Sequence, residues 1–314
     1  MKYVVLSGGV GGSRFAEALS LAVGQENITV ISNIGDDTWY YGQYVSPDVD
    51  IVLYTLAGII NTRTGWGIEG DTFACYHMLE ELGEDMWFHV GDKDMAVHML
   101  RTRLMQEGMP YDQVISHLAR HMGVKARVIP VSNQRIATAI VSGGQEYEFQ
   151  EYMVRHQCRL PVDRIVFRHI QEARPAPGVI ESILEADQVI LAPSNPFVSI
   201  GTILSVQGVR EALKASAGQV TAISPIIQGI TVKGPAAAMM DNLGQEASCV
   251  GVCRLYADFL DLFVADIKDL GRKMDLEATG VSCRFFDTMM VDKRAKKRLA
   301  DYVISLRPQP DGFC

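Results

Sequence analysis

A doubly wound α/β fold with a mostly parallel sheet is predicted by three observations. A short β-rich run at residues 2–6 leads into the glycine cluster Gly8-Gly9-Val10-Gly11-Gly12 and then into a helical apolar spacing, Phe15, Ala18, Leu19 and Ala22. Further short apolar runs recur along the chain, separated by helical patterns, which is the alternation of a parallel sheet covered on both faces. With 314 residues, 48% of them hydrophobic, the chain has enough apolar material for a large core.

The elements follow in order. The first strand, turn and helix span residues 2–22, and a second apolar run, Ile28 to Ser32, ends in Asn33-Ile34-Gly35-Asp36-Asp37. Strands are predicted at Trp87–Val90, Arg127–Val131, Val189–Ala192, Val220–Ser224 and Leu262–Asp266. From Ala137 to Met153, two alternating runs around Gly143-Gly144 predict an antiparallel hairpin appended to the sheet. There is no low-complexity linker and no repeat. One Rossmann-like domain over 1–314 with insertions is therefore predicted, a division near residue 170 being the alternative.

Composition narrows the function. A net charge of −8 argues against a nucleic-acid partner, whose phosphates demand a basic surface. The uncharged stretch Gln188 to Val209 is long enough to cross a bilayer, but Pro193, Asn195, Pro196 and several serines interrupt it, so no membrane partner is expected. The N-terminus lacks the pattern of a signal peptide, and a cytoplasmic protein is expected. Cys75, Cys158, Cys249, Cys253, Cys283 and Cys314 show no metal-ligand spacing and read as reduced, structural thiols.

The glycine turn opens a helix, where free amides and the helix dipole favour an anion and missing side chains permit close approach. Gly8, Gly9, Gly11 and Gly12 are therefore candidate phosphate ligands, a tight turn that binds nothing being the alternative. As a dinucleotide fingerprint the turn is imperfect. Arg14 stands at the third glycine position, and Asn33 stands where a ribose-binding acid belongs. Ser194 and Asn195, in the Pro193–Pro196 loop after a strand, are candidates for a second phosphate or nucleotide contact, and Lys233 for the same crevice.

Carboxylates collect beyond strand ends: Asp36 and Asp37, Asp48 and Asp50, Asp71, Asp92 and Asp94. Their loops converge on one crevice in a doubly wound sheet, which makes a candidate magnesium site needing one or two of them. Helix caps and turns are the ordinary use of the others. The histidines show no pairing with a nucleophile, and no serine sits in a nucleophile elbow.

Taken together, LSGGVGGSRF at 6–15, NIGDDTWYYG at 33–42, SPDVDIVLYTLAG at 46–58, GWGIEGDTF at 65–73, VGDKDMAVH at 90–98, APSNPFVSIG at 192–201, SPIIQG at 224–229, KGPAAAMM at 233–240 and DTMM at 287–290 resemble the 2-phospho-L-lactate transferase family. The resemblance implies a magnesium-dependent transferase that passes a phospho-acid unit, lactyl or enolpyruvyl, from a guanosine-diphosphate-linked donor to the deazaflavin Fo. GMP is released, and the product belongs to coenzyme F(420) biosynthesis. It implies that Asp50 and Lys93 contact Fo, Lys93 standing where the family usually has arginine, which offers a planar fork rather than a point charge. Asp50 is also the expected catalytic carboxylate, and with Asp36 the expected metal pair. A homodimer is the default assembly. The alternative is a non-catalytic nucleotide-sugar-binding regulator resembling the gluconeogenesis-factor family. If Asp50 merely capped its helix, Asp50→Asn would change nothing; as a functional carboxylate it should lose turnover with stability almost unmoved.

Overall fold

In the computed structural model, which describes residues 1–307, seven parallel strands form the central sheet. They are β1 (Tyr3–Ser7), β2 (Ile28–Ser32), β3 (Arg127–Pro130), β4 (Gln188–Leu191), β5 (Gln219–Ile223), β6 (Leu262–Asp266) and β7 (Ser282–Phe286). Their spatial order is β3-β2-β1-β4-β5-β6-β7, with Val5 opposite Val30 on one side and Ile190 on the other. This is the strand order of doubly wound nucleotide-binding sheets, extended by one edge strand. The central strands are buried end to end, as a sheet covered by helices on both faces requires.

The order reverses between β1 and β4. Chain leaving those neighbours departs to opposite faces, and the gap between the departing loops is the crevice in which such sheets hold ligands. Helix α1 (Gly9–Val23) leaves β1 through the glycine turn and packs against α2 (Pro47–Ala57) and the helix Lys293–Ser305. A half-buried ion pair at 2.5 Å, Lys296 to Glu17, ties the last of these to α1. Helix α2 starts with Pro47 at its first position, where the missing amide costs nothing, and stops at Gly58 in the left-handed region, φ 72°.

Three expectations are amended. Trp87–Val90 is not a strand; four residues without a partner strand instead put Trp87 and Phe88 edge-on to Tyr40 at 5.7 and 5.4 Å. The hairpin at 137–153 forms as Ala137–Ser142 against Gln145–Glu148 and ends there, because Glu151–Arg155 coils into a helical turn. Arg164–Arg168 adds a third antiparallel strand to it. The edge strand β7 and a small hairpin, Thr38–Tyr40 with Gln43–Val45, were not predicted, being short and only partly apolar. Cys314 lies outside the described residues. The other five cysteines are free; Cys249 and Cys253 are buried, and burial pushes the Cys249 thiol up to about 12, whereas Cys75 is exposed.

Candidate functional site

A cavity of about 490 Å³ opens at the carboxyl ends of the strands, a size suited to small-molecule substrates. Loops after β1, β2, β4, β5 and β7 contribute to it, and the N-terminal turns of α2 and of α4 (Asp92–Gln106) close one side.

The turn after β1 forms one wall. Gly8, Gly9 and Gly11 line the cavity, whereas Gly12 faces inward, where a Cβ would meet the Ser7 Oγ at 2.3 Å. Gly9 has φ +61°, and Gly11 lies so close to β4's loop that a Cβ would fall 2.1 Å from the Pro193 carbonyl oxygen. Two of the expected phosphate contacts are occupied in holding this arrangement. Ser194 donates its hydroxyl to the Gly8 carbonyl at 2.7 Å and accepts from the Gly8 amide at 3.3 Å. Asn195 accepts from the Phe197 and Val198 amides, building the turn in its own loop. Both line the cavity, but their hydrogen-bonding capacity is largely spent on the scaffold.

The acidic residues separate into two groups. Asp71 and Asp92 are caps: Asp71 accepts from the amides of Lys93 (2.8 Å) and Asp94 (3.1 Å) at the start of α4, and Asp92 accepts from Ala74 and Cys75 (both 3.0 Å) at the start of α3 (Ala74–Glu81). Asp36, Asp48, Asp50 and Asp94 line the cavity. Burial, then the charges of Asp48 and Asp37, hold the Asp36 carboxyl well above the usual range, and its Oδ1 is buried with no hydrogen-bond partner among the described residues. Burial also raises Asp48 to about 6, against the opposing bonds from Asn33 and the Gly9 amide. Buried Asp37 is raised to about 8 although Ser46 and Tyr111 donate to it. Burial and crowding favour the protonated forms of these carboxyls, and a hard divalent cation is what would stabilise them ionised.

Asp50 sits in a different environment. It lies inside the first turn of α2, its amide bonded to the Ser46 carbonyl, so it does not cap the helix. Its carboxylate receives both terminal nitrogens of Arg101, a fully buried side chain, and His98 Nε2 lies 3.3 Å from Asp50 and 3.3 Å from Asp94. Burial alone would raise Asp50, but Arg101 and His98 outweigh it and hold the group below the ordinary carboxylate value. Burial would likewise lower His98, yet its two carboxylate neighbours raise it to about 8. Tyr54 donates to Asp94 at 2.5 Å and completes the network. Of the expected metal pair, Asp50 also stands with Asp94 and His98, the ligand atoms of the three within 4.8 Å of one another. Asp50 is already matched by a guanidinium, while Asp36 keeps company with Asp48.

Lys93 points elsewhere. Exposed at the start of α4, it donates to the carbonyls of Gly70 (2.8 Å) and Glu69 (3.3 Å) and is not among the residues lining the cavity. Sequence reasoning passed over His98 and Arg101. Their signal was spacing: Asp94, His98 and Arg101 fall at i, i+4 and i+7, one face of α4, and that face turns inward. Arg14, which spoils the dinucleotide fingerprint, lines the cavity, as do Trp66, Phe88 and Phe149. Across the opening, Asp266 at the end of β6 accepts from the Thr288 amide and hydroxyl, both at 2.9 Å, and so brings Thr288, Met289 and Met290 to the rim.

Comparison with known proteins agrees with this architecture. The family model of the 2-phospho-L-lactate transferase CofD matches residues 3–301. A 2-phospho-L-lactate transferase of Methanothermobacter thermautotrophicus is 42% identical over 87% of each chain. A phosphoenolpyruvate transferase of Kitasatospora aureofaciens is 39% identical over 98% of each. Among solved structures, a Bacillus halodurans member of the UPF0052 family superimposes with a TM-score of 0.63 at 17% identity, covering 96% of this chain and 98% of that one, a likeness of fold.

Proposed function

The chain belongs to the 2-phospho-L-lactate transferase family, a family of phospho-acid transferases, and from that premise we propose that it moves a phospho-acid unit from a guanosine-diphosphate-linked donor to the deazaflavin Fo, releasing GMP. One observation carries the reading. At the switch point, a glycine turn that admits phosphate stands beside a group of buried carboxylates, and aromatic and methionine side chains wall the rest. An apolar planar acceptor suits those walls; a diphosphate suits the turn.

Transfer is an in-line displacement at phosphorus: the acceptor hydroxyl forms the new P–O bond while the bond to the GMP oxygen breaks. Such chemistry needs positioning and charge neutralisation more than covalent help. The amides at the start of α1 bind the donor, and Asp50, held rigid by Arg101, is placed to orient the acceptor hydroxyl. Asp36 and Asp48 would hold magnesium, which when bound supplies countercharge to the diphosphate. Lys93 would contact Fo only where the acceptor extends past the cavity rim toward the Gly70 loop.

Purified protein given Fo, magnesium and lactyl, enolpyruvyl or glyceryl donor is expected to release GMP, with the phospho-acid product identified by mass. Absence of GMP on chromatography with all three donors would refute transfer to Fo.

The carboxylates also make a pH prediction. Asp48 and Asp37 have folded pKa values, about 6 and about 8, above the ordinary carboxylate value of 3.8. The folded state therefore keeps protons that the unfolded chain has released, so the stability they confer at acid pH is lost as pH rises through 6 and 8. His98, raised from 6.5 to about 8, acts in the same direction. Melting temperature without metal is expected to fall between pH 5 and 8, and magnesium to restore it at pH 8. If magnesium leaves melting at pH 8 unchanged, Asp36 and Asp48 do not hold it.

A further inference from the structure

Two cations flank the glycine turn without acidic partners. Arg14, in the first turns of α1, lines the cavity, and Lys233 lines it from the segment after β5. Among the described residues neither lies within ion-pair distance of a carboxylate; the lysine ammonium instead donates to the Thr64 carbonyl at 2.7 Å. The loop carrying that carbonyl lies over the turn. A Cβ on Gly65, which has φ +76°, would stand 3.0 Å from the Lys233 Nζ and 3.3 Å from the Val10 Cγ1. Partial burial and the charge of Arg14 both lower the Lys233 pKa, so the two cations repel across a gap beside the start of α1. On the acidic side, the buried, unpartnered Oδ1 of Asp36 faces the same cavity.

Two unpaired cations converging on helix amides are complementary to an anion carrying more than one phosphate. We propose that Arg14 and Lys233 form a clamp selective for the donor's diphosphate over a monophosphate, with Lys233 leaving the Thr64 carbonyl as the clamp engages. The assignment rests on the transferase reading but names a discrimination that reading does not contain. Arg14 offers a planar fork able to span two phosphate oxygens, and Lys233 a point charge that swings on a flexible stem. After transfer the nucleotide retains a single phosphate. The clamp's grip on GMP is then weaker than on the donor, which favours product release.

The test is calorimetric binding of GDP, GMP and inorganic pyrophosphate to wild type, Arg14→Gln and Lys233→Gln. Neither side chain has a partner whose loss would unfold the protein, and thermal melts verify that each variant folds. Each substitution is expected to weaken GDP and pyrophosphate by roughly tenfold or more, the scale of one charge-assisted contact, and GMP by only a few-fold. Equal losses for GDP and GMP, or no loss, would overturn the clamp. The pyrophosphate arm keeps the two proposals apart: if wild type releases no GMP from any donor, yet both variants bind pyrophosphate more weakly than wild type does, the clamp stands and the transferase reading falls.

Discussion

Replacing Asp50 by asparagine is expected to cut turnover sharply and also to destabilise the protein substantially. The sequence alone predicts lost turnover with melting almost unmoved, because it offers only helix capping as the ordinary role, and asparagine caps as well as aspartate. The structure corrects the second half. Asp50 is the carboxylate that receives both terminal nitrogens of Arg101, which is completely buried and whose other side-chain acceptor is the Tyr44 carbonyl at 3.2 Å. Neutralising one member of a buried pair strands the other charge, at a cost of about 3–5 kcal/mol. In a chain of this size that is a fall in melting temperature of roughly 10 °C. Turnover should drop by roughly a hundredfold or more, the scale of one lost preorganised electrostatic contact.

A second variant separates folding from function. Asp50→Asn combined with Arg101→Met removes both charges and should recover much of the stability, since a buried ion pair is often replaceable by apolar volume. It should recover no GMP release. A single variant as stable and as active as wild type would remove Asp50 from the site; a stable double variant with normal turnover would reduce it to a structural ion pair.

The glycine turn is expected to respond just as strongly, but unevenly. Gly9→Val and Gly11→Val look equivalent on the sequence, each blocking phosphate while sparing the fold. They are not equivalent in space. At Gly11 the added Cβ would meet the Pro193 backbone oxygen at 2.1 Å, so α1 must move away from the loop after β4 at the switch point itself. Gly11→Val is expected to yield little folded protein. Gly9 has only the Asp48 Oδ1 near it, at 3.6 Å, and its penalty is the positive φ of +61°, which a β-branched residue resists. Gly9→Ala, a milder change there, should fold with reduced stability and lose donor affinity. Circular dichroism with GDP titration reads both; Gly9→Ala with wild-type GDP affinity would place the phosphates away from the turn.

Much of this site was legible because its signals are local. The glycine turn, the loop after β4 and the Asp36–Asp37 corner each follow an apolar strand within a few residues, and a strand followed by a small-residue turn reads the same wherever it folds. The caps Asp71 and Asp92 were also within reach as a class, since aspartate serves helix starts by its own chemistry. Arg14 was visible only as a flaw in a fingerprint; it is the fold that sets it at the same opening as Lys233, 219 positions later.

The sequence by itself determined the fold class, the order and direction of most strands, and the family, because apolar periodicity and turn chemistry act over a few residues. Tertiary structure alone decided which carboxylates are free. Charge state and availability depend on what packs nearby: Arg101 reaches Asp50 from 51 residues away, while Asp36 is buried beside Asp48 and Asp37 with one oxygen unanswered. Electrostatic interactions strengthen when water is excluded. Burial that depends on the whole fold therefore turns the same residue type into an ion-pair partner at one position and an unpartnered carboxyl at the other.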